Sequence, residues 1–93
     1  MRKELSSNTQ LMESLHNVEN ALMALSARGM EATSVSLLNG RPVIRIARHG
    51  SCDQMVALGQ ASYVSVGTNT AGQFRQGYFI QNGCRVIWSE SLH

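Results

Sequence analysis

Val35-Ser36-Leu37-Leu38-Asn39-Gly40-Arg41-Pro42-Val43-Ile44 reads as a β-hairpin, and the fold follows from where its turn is placed. Asn-Gly is the favoured pair for a two-residue type I′ turn, because both central residues need positive φ. With Asn39-Gly40 at the tip, Leu38 pairs with Arg41, Leu37 with Pro42, Val35 with Ile44 and Thr33 with Ile46. That register puts the apolar side chains on one side. Ser34, Ser36 and Leu38 face Arg45, Val43 and Arg41 on the other, as in a sheet covered on one face only. Pro42 lacks a backbone donor, which places it at a sheet edge or a strand's start.

The chain repeats the signal at Asn82-Gly83. Counting outward, Gln81 pairs with Cys84, Phe79 with Val86 and Gly77 with Trp88. On the reverse side Tyr78 meets Ile87 and Ile80 meets Arg85. Both faces are apolar, so this hairpin is expected to be central or covered. A tryptophan opposite a glycine lies flat over the bare backbone and shields it.

Upstream, Leu11, Leu15, Val18, Leu22 and Leu25 recur at spacings of 4, 3, 4 and 3, the stripe of an amphipathic helix. Ser7 and Gln10 form a capping box in front of it, and Gly29 after Arg28 ends it. The spacing predicts a helix over residues 8–28. Between the hairpins, Arg48 to Asp53 reads as a loop, Gln54 to Leu58 as a helical turn capped by Asp53 in preference to a strand, and Tyr63 to Val66 as a strand. Gly67 to Gly72 reads as a connecting loop.

The expected fold class is α+β: an N-terminal amphipathic helix packed on an antiparallel sheet of four to five strands built from two NG hairpins. Residues 1–7 are expected as a flexible arm and 8–93 as one domain. The expected core comprises Leu15, Leu22, Val35, Ile44, Phe79, Val86 and Trp88.

Of the 93 residues, 43% are hydrophobic and 15% charged, which suits a folded chain and excludes a disordered one. So small a domain has one thin core. Low charge over a thin core suggests apolar surface shared with a partner. The net charge of +2 is uneven: residues 1–31 carry −1 and residues 32–93 carry +3, and seven of the eight basic residues are Arg. No secretory signal or membrane-length apolar run is visible, and Cys52 and Cys84 have no CxxC spacing. The expected compartment is the cytoplasm, with both thiols reduced.

Candidate chemistry is sparse. Arg48-His49-Gly50-Ser51-Cys52-Asp53 gathers the residue types of a Cys–His nucleophile, but adjacent loop residues rarely supply a triad and a polar turn is the better account. His16, His49 and His93 are scattered and the cysteines lack zinc spacing, so no metal or other cofactor is expected. Gly67 to Gly72 lacks the GK[ST] ending of a phosphate loop.

Two surfaces remain. Arg41, Arg45 and Arg48 form a basic hairpin face that would suit nucleic acid, with Tyr63 and Tyr78 available to stack bases. Met12, Leu15 and Met23 would give the helix a soft apolar contact surface for a protein, and the 4-3-4-3 spacing also suits helix pairing.

The run Leu22 to Gly29, the turn Asn39 to Ile46 and the closing Asn82 to Trp88 together resemble small accessory proteins of enterobacterial temperate phages and their satellites. The resemblance implies a non-catalytic regulator, such as an anti-repressor or inhibitor, that grips another protein. The expected function is therefore a protein-binding regulator acting as a homo-oligomer or complex. The alternative is a small nucleic-acid binder using the basic hairpin.

Overall fold

A computed structural model describes residues 7–38, 40–70 and 72–92. The element order is α1 (Ser7–Ala27), β1 (Ala32–Leu38), β2 (Arg41–Ile46), α2 (Gly50–Ala57), β3 (Ser62–Asn69), β4 (Gly72–Gln81) and β5 (Cys84–Ser91). The class is α+β, with the five strands in one sheet ordered β1-β2-β5-β4-β3. The expected arm, apart from Ser7 in α1, lies outside the described residues, as does Asn39.

Both hairpins keep the register counted from their turns. Leu38 pairs with Arg41, Leu37 with Pro42 and Val35 with Ile44. The second hairpin runs without a slip from Gln81–Cys84 out to Phe74–Ser91. Its turn carries positive φ at both Asn82 (52°) and Gly83 (76°), the type I′ signature.

One register expectation is corrected. Ile46 pairs with Ala32 and not Thr33, because a bulge between Ala32 and Ser34 inserts an extra residue. The seam between the hairpins is also informative. β2 and β5 lie side by side in parallel, Ile44 against Val86, so the sheet is mixed while every hairpin pairing is antiparallel. This parallel ladder begins at Val43, one residue after Pro42, so the missing proline donor is not needed.

α1 packs on β2 and β5. Its C-terminus closes as a Schellman motif, with Met30 N–H donating to the Leu25 carbonyl (2.9 Å) and Gly29 N–H to that of Ser26 (3.0 Å). Val18 and Leu25 of the stripe, together with Ala21, are buried against Ile44, Ile46, Phe79, Val86 and Trp88. Trp88 covers Gly77 as expected: a Cβ added there would lie 2.5 Å from the indole Cη2 and 2.7 Å from Cε2.

Two expected core residues are not core. Leu15 is 54% exposed and Val35 41% exposed, while Leu22 is half-buried. The cause is an offset of the helix. The Ser14 hydroxyl donates to the Gly40 carbonyl, so α1 draws level with the β1–β2 turn only at its eighth residue. At about 1.5 Å per residue, the preceding seven project roughly 10 Å beyond the sheet. Leu11 thus continues the stripe past the surface it was meant to cover, and Leu15, one residue inside that limit, stays exposed at the sheet's end. The molecule is accordingly long, 56 × 29 × 22 Å.

The segment after β2 also differs from expectation. α2 is a full helix whose N-cap is His49 and not Asp53; the His49 Nδ1 accepts from Ser51 N–H at 3.0 Å. It contributes Cys52 and Met55 to the core. β3 is longer than expected and takes in Gly67 to Asn69, leaving only the hairpin tip as loop.

Candidate binding surfaces

The sheet divides the molecule into two chemically different sides. Pairing fixes which residues share a side: Pro42, Ile44, Phe79, Val86 and Trp88 point toward the helices, and their strand neighbours point away.

On the helix side the dominant polar feature is Glu90. Its side chain is only 8% exposed. Oε2 accepts from the Trp88 indole N–H at 2.9 Å, and Oε1 accepts from Arg75 Nε at 2.8 Å and the Tyr63 hydroxyl at 3.4 Å. Arg48 approaches Oε2 at 3.5 Å and holds Asp53 at 2.5 Å. The Arg75 guanidinium also lies over the Tyr63 ring, 3.8 Å from its centroid. Burial pushes the Glu90 carboxyl up, but the bonds from Trp88 and Arg75 and the charges of Arg75 and Arg48 outweigh it and hold the pKa below the ordinary value. Burial and the neighbouring Glu90 charge push the Tyr63 phenol up. Three hydrogen-bond donors and the Arg48 charge thus converge on one ionised carboxylate. Its arrangement is that of an anchor joining β3, β4, β5 and the start of α2.

This cluster takes Arg48 out of the basic face. β2 ends at Ile46, and the chain then turns over the helix side, where Asp53 and Glu90 bind the guanidinium. Tyr63 lies on the same side beneath Arg75 and is not free to stack a base. The Cys–His pairing is not assembled either: His49 Nδ1 caps α2, and Asp53 is held by Arg48. Cys52 is buried, and desolvation pushes its thiol pKa up despite the backbone bond from His49 and the Arg48 charge. Among the described residues no three His, Cys, Asp or Glu side chains converge on a metal site. Cys52 and Cys84 are both free and buried. Among the described residues no helix is long and apolar enough to cross a membrane.

Among the described residues the open side of the sheet has no helix on it. Arg41 and Arg45 lie there as expected, and β5 adds Arg85, which the sequence reading left out. Arg85 sits over the Tyr78 ring at 4.3 Å from its centroid. A shallow concavity of about 550 Å³ lies at the end of this face, lined by Arg45, Phe74, Gln76, Ser89, Glu90 and Ser91 among others. None of the described strand residues on this face is acidic.

The third surface is the outside of α1. Met12 is 61% and Met23 67% exposed, beside Leu15 and the 41% exposed Leu11. Met12 and Met23 are eleven residues apart, so they share one helix face roughly 17 Å from end to end. The sequence placed both there, and the structure leaves both uncovered.

Fold and surfaces together define an α+β domain of two helices on one face of a mixed five-stranded sheet, with four exposed large apolar side chains on α1 and others, Leu58 and Val66 among them, spread over α2's end and the strands. The chain belongs to a family described as "Uncharacterised protein", whose model matches residues 1–91. No curated protein and no solved structure matches it.

Proposed function

We propose that this chain is a non-catalytic protein-binding regulator, of the anti-repressor or inhibitor type found in phages and mobile elements, acting through the apolar outer surface of α1. The phage association rests on the sequence resemblance alone. The binding reading rests on one observation: Met12, Leu15 and Met23 are each more than half exposed on a single helix whose opposite face is buried. Flexible methionine side chains adapt to a partner's shape, and such a cluster costs solubility unless something covers it.

The test is capture from a bacterial lysate, with and without nuclease, using the wild-type chain and a Met12→Lys/Met23→Lys double variant. Protein bands that survive nuclease and disappear with the double variant are expected. Bands lost with nuclease, or retained by the variant, would overturn the reading.

A second reading has its own support in the acid-free open face, where Arg41, Arg45 and Arg85 accompany Tyr78 and Phe74. Phosphate binding there would release counterions and weaken steeply with salt, and Arg45→Glu would weaken binding to many sequences alike. The protein reading expects no such salt-steep binding to DNA or RNA oligonucleotides.

A further inference from the structure

We infer that β1 is the self-association edge of this protein: two copies pair their β1 strands antiparallel, while the Leu11–Leu15–Leu22 flanks of the two α1 helices face each other across Val35 and Leu37. This names the homotypic partner within the binding reading above and rests on that reading.

Three observations converge on this edge. First, β1 stands at one end of the strand order, so among the described residues one side of its backbone ladder has no strand beside it. Its sequence ATSVSLL contains no charge and no proline, the devices that keep edge strands from pairing. Its bulge lies at the first turn of the strand, leaving Ser34 to Leu38 in regular register.

Second, the apolar surface is contiguous with that ladder. At about 100° per residue, Leu11, Leu15 and Leu22 fall within roughly 40° of one another on α1. Asn17 and Arg28 lie on the other flank. A Cβ on Gly83 would be 3.7 Å from Asn17 Nδ2, and Arg28 approaches the Phe79 ring at 5.9 Å, so that flank is over β4 and β5. The leucine flank is therefore turned toward β1. There Val35 and Leu37 point to the same side, Val35 being 41% exposed.

Third, the strand is self-complementary in one register. Centred on Ser36, antiparallel pairing sets Val35 of each copy opposite Leu37 of the other on the helix side, and Ser36 opposite Ser36 on the open side. Apolar cross-strand pairs of this kind stabilise a sheet, and no like charges meet at the seam. The nearest arginines across it, Arg45 and the second copy's Arg41, stand three strand spacings apart. That is about 14 Å, beyond the screening length at physiological salt. The opposite edge, β3, is also uncharged, but its helix side carries Arg75, Glu90 and Arg48, which a second copy would have to desolvate.

The experiment uses the purified full chain. Sedimentation at micromolar concentration is expected to give twice the chain mass. Val35→Lys is expected to return it to the monomer with an unchanged far-ultraviolet dichroism spectrum.

Ser36→Cys supplies an arm that does not depend on loss of association. Directly opposed strand residues have Cα atoms about 4.5–5.5 Å apart, within disulfide reach. Since Cys52 and Cys84 are buried at 0% exposure, mild oxidation of this variant should link two chains through position 36. Ser34→Cys should give no link, being displaced from its own copy in that register.

A monomeric wild type would overturn the proposal, as would a dimer that persists in Val35→Lys or a Ser36→Cys chain that does not cross-link. None of these outcomes touches Met12 or Met23, so failure of this edge and failure of the partner-binding reading are separable.

Discussion

Replacing Glu90 by Ala leaves Arg75 and the Trp88 indole N–H without their acceptor in a half-dry pocket. Loss of that shared acceptor should appear as a lower denaturant midpoint. Its pH response follows from the sign of the shift. The folded pKa lies below the ordinary glutamate value of about 4.5, so at moderately acid pH the unfolded chain binds more protons. The stabilisation is complete above that value and is lost as pH falls through the lower, folded pKa. Thermal melts of the wild type should therefore drop over that acid window, and those of Glu90→Gln should drop less. Gly77→Ala is expected to be as damaging as Trp88→Ala, roughly 3–5 kcal/mol, since the new Cβ and the indole compete for one space. A Gly77→Ala chain with the parent's melting temperature would remove Trp88 from the place assigned to it. Much of this was within reach of the sequence. The count outward from Asn82-Gly83 that pairs Gly77 with Trp88 also pairs Arg75 with Glu90, one step further on the same face. Arg48 was not legible in that way, because its position depends on the chain leaving β2 at Ile46 and crossing to the helix side.

α1 behaves as two helices end to end, although its sequence stripe is uniform. Leu25→Ala, at 1% exposure, should cost about 2–5 kcal/mol. Leu11→Ala, in the overhang, should cost less than about 1 kcal/mol in a dilute chain, because little area is lost there. Urea unfolding of the two variants side by side checks the contrast, and equal losses would mean the overhang is packed. Periodicity shows which face of a helix is apolar but not how far the surface beneath it extends. That is why Leu15 and Val35 were assigned to the core. α2 was legible only in part. A histidine N-cap carries little signal, yet the helix end is marked: Gln60 N–H donates to the Met55 carbonyl at 2.7 Å and Gly59 N–H to that of Val56 at 3.1 Å. Gly59 after a run of helix formers was the available clue. The NG turns were the firmest signal in the chain. Gly83→Val should cost about 1 kcal/mol or more, since φ of 76° is strained for a β-branched residue.

At the scale of the whole molecule, the acidic side chains of the described helices and strands lie on one side while basic ones lie on both. Arg41, Arg45 and Arg85 occupy the open sheet face, while the glutamates of α1 and the Glu90–Asp53 network lie on the helix side. Joining two β1 edges would double the basic face to six arginines on one continuous surface. If the second reading of function holds, nucleic-acid affinity should fall together with self-association in Val35→Lys; titrations at fixed salt would show it. If the first holds, oligonucleotide binding stays negligible in both forms.

The parallel seam also sets the order in which the chain can assemble. Each NG hairpin closes over a few residues, but the seam joins Ile44 to Val86, 42 positions apart. Closing so distant a contact carries most of the entropic cost of the topology and slows the search, whereas hairpins form in about 1–10 μs. Two preformed ribbons that must then align side by side make β2–β5 docking the step that limits the folding rate. Ile44→Val should accordingly slow refolding followed by Trp88 fluorescence, and changes confined to the β3–β4 tip should instead speed unfolding.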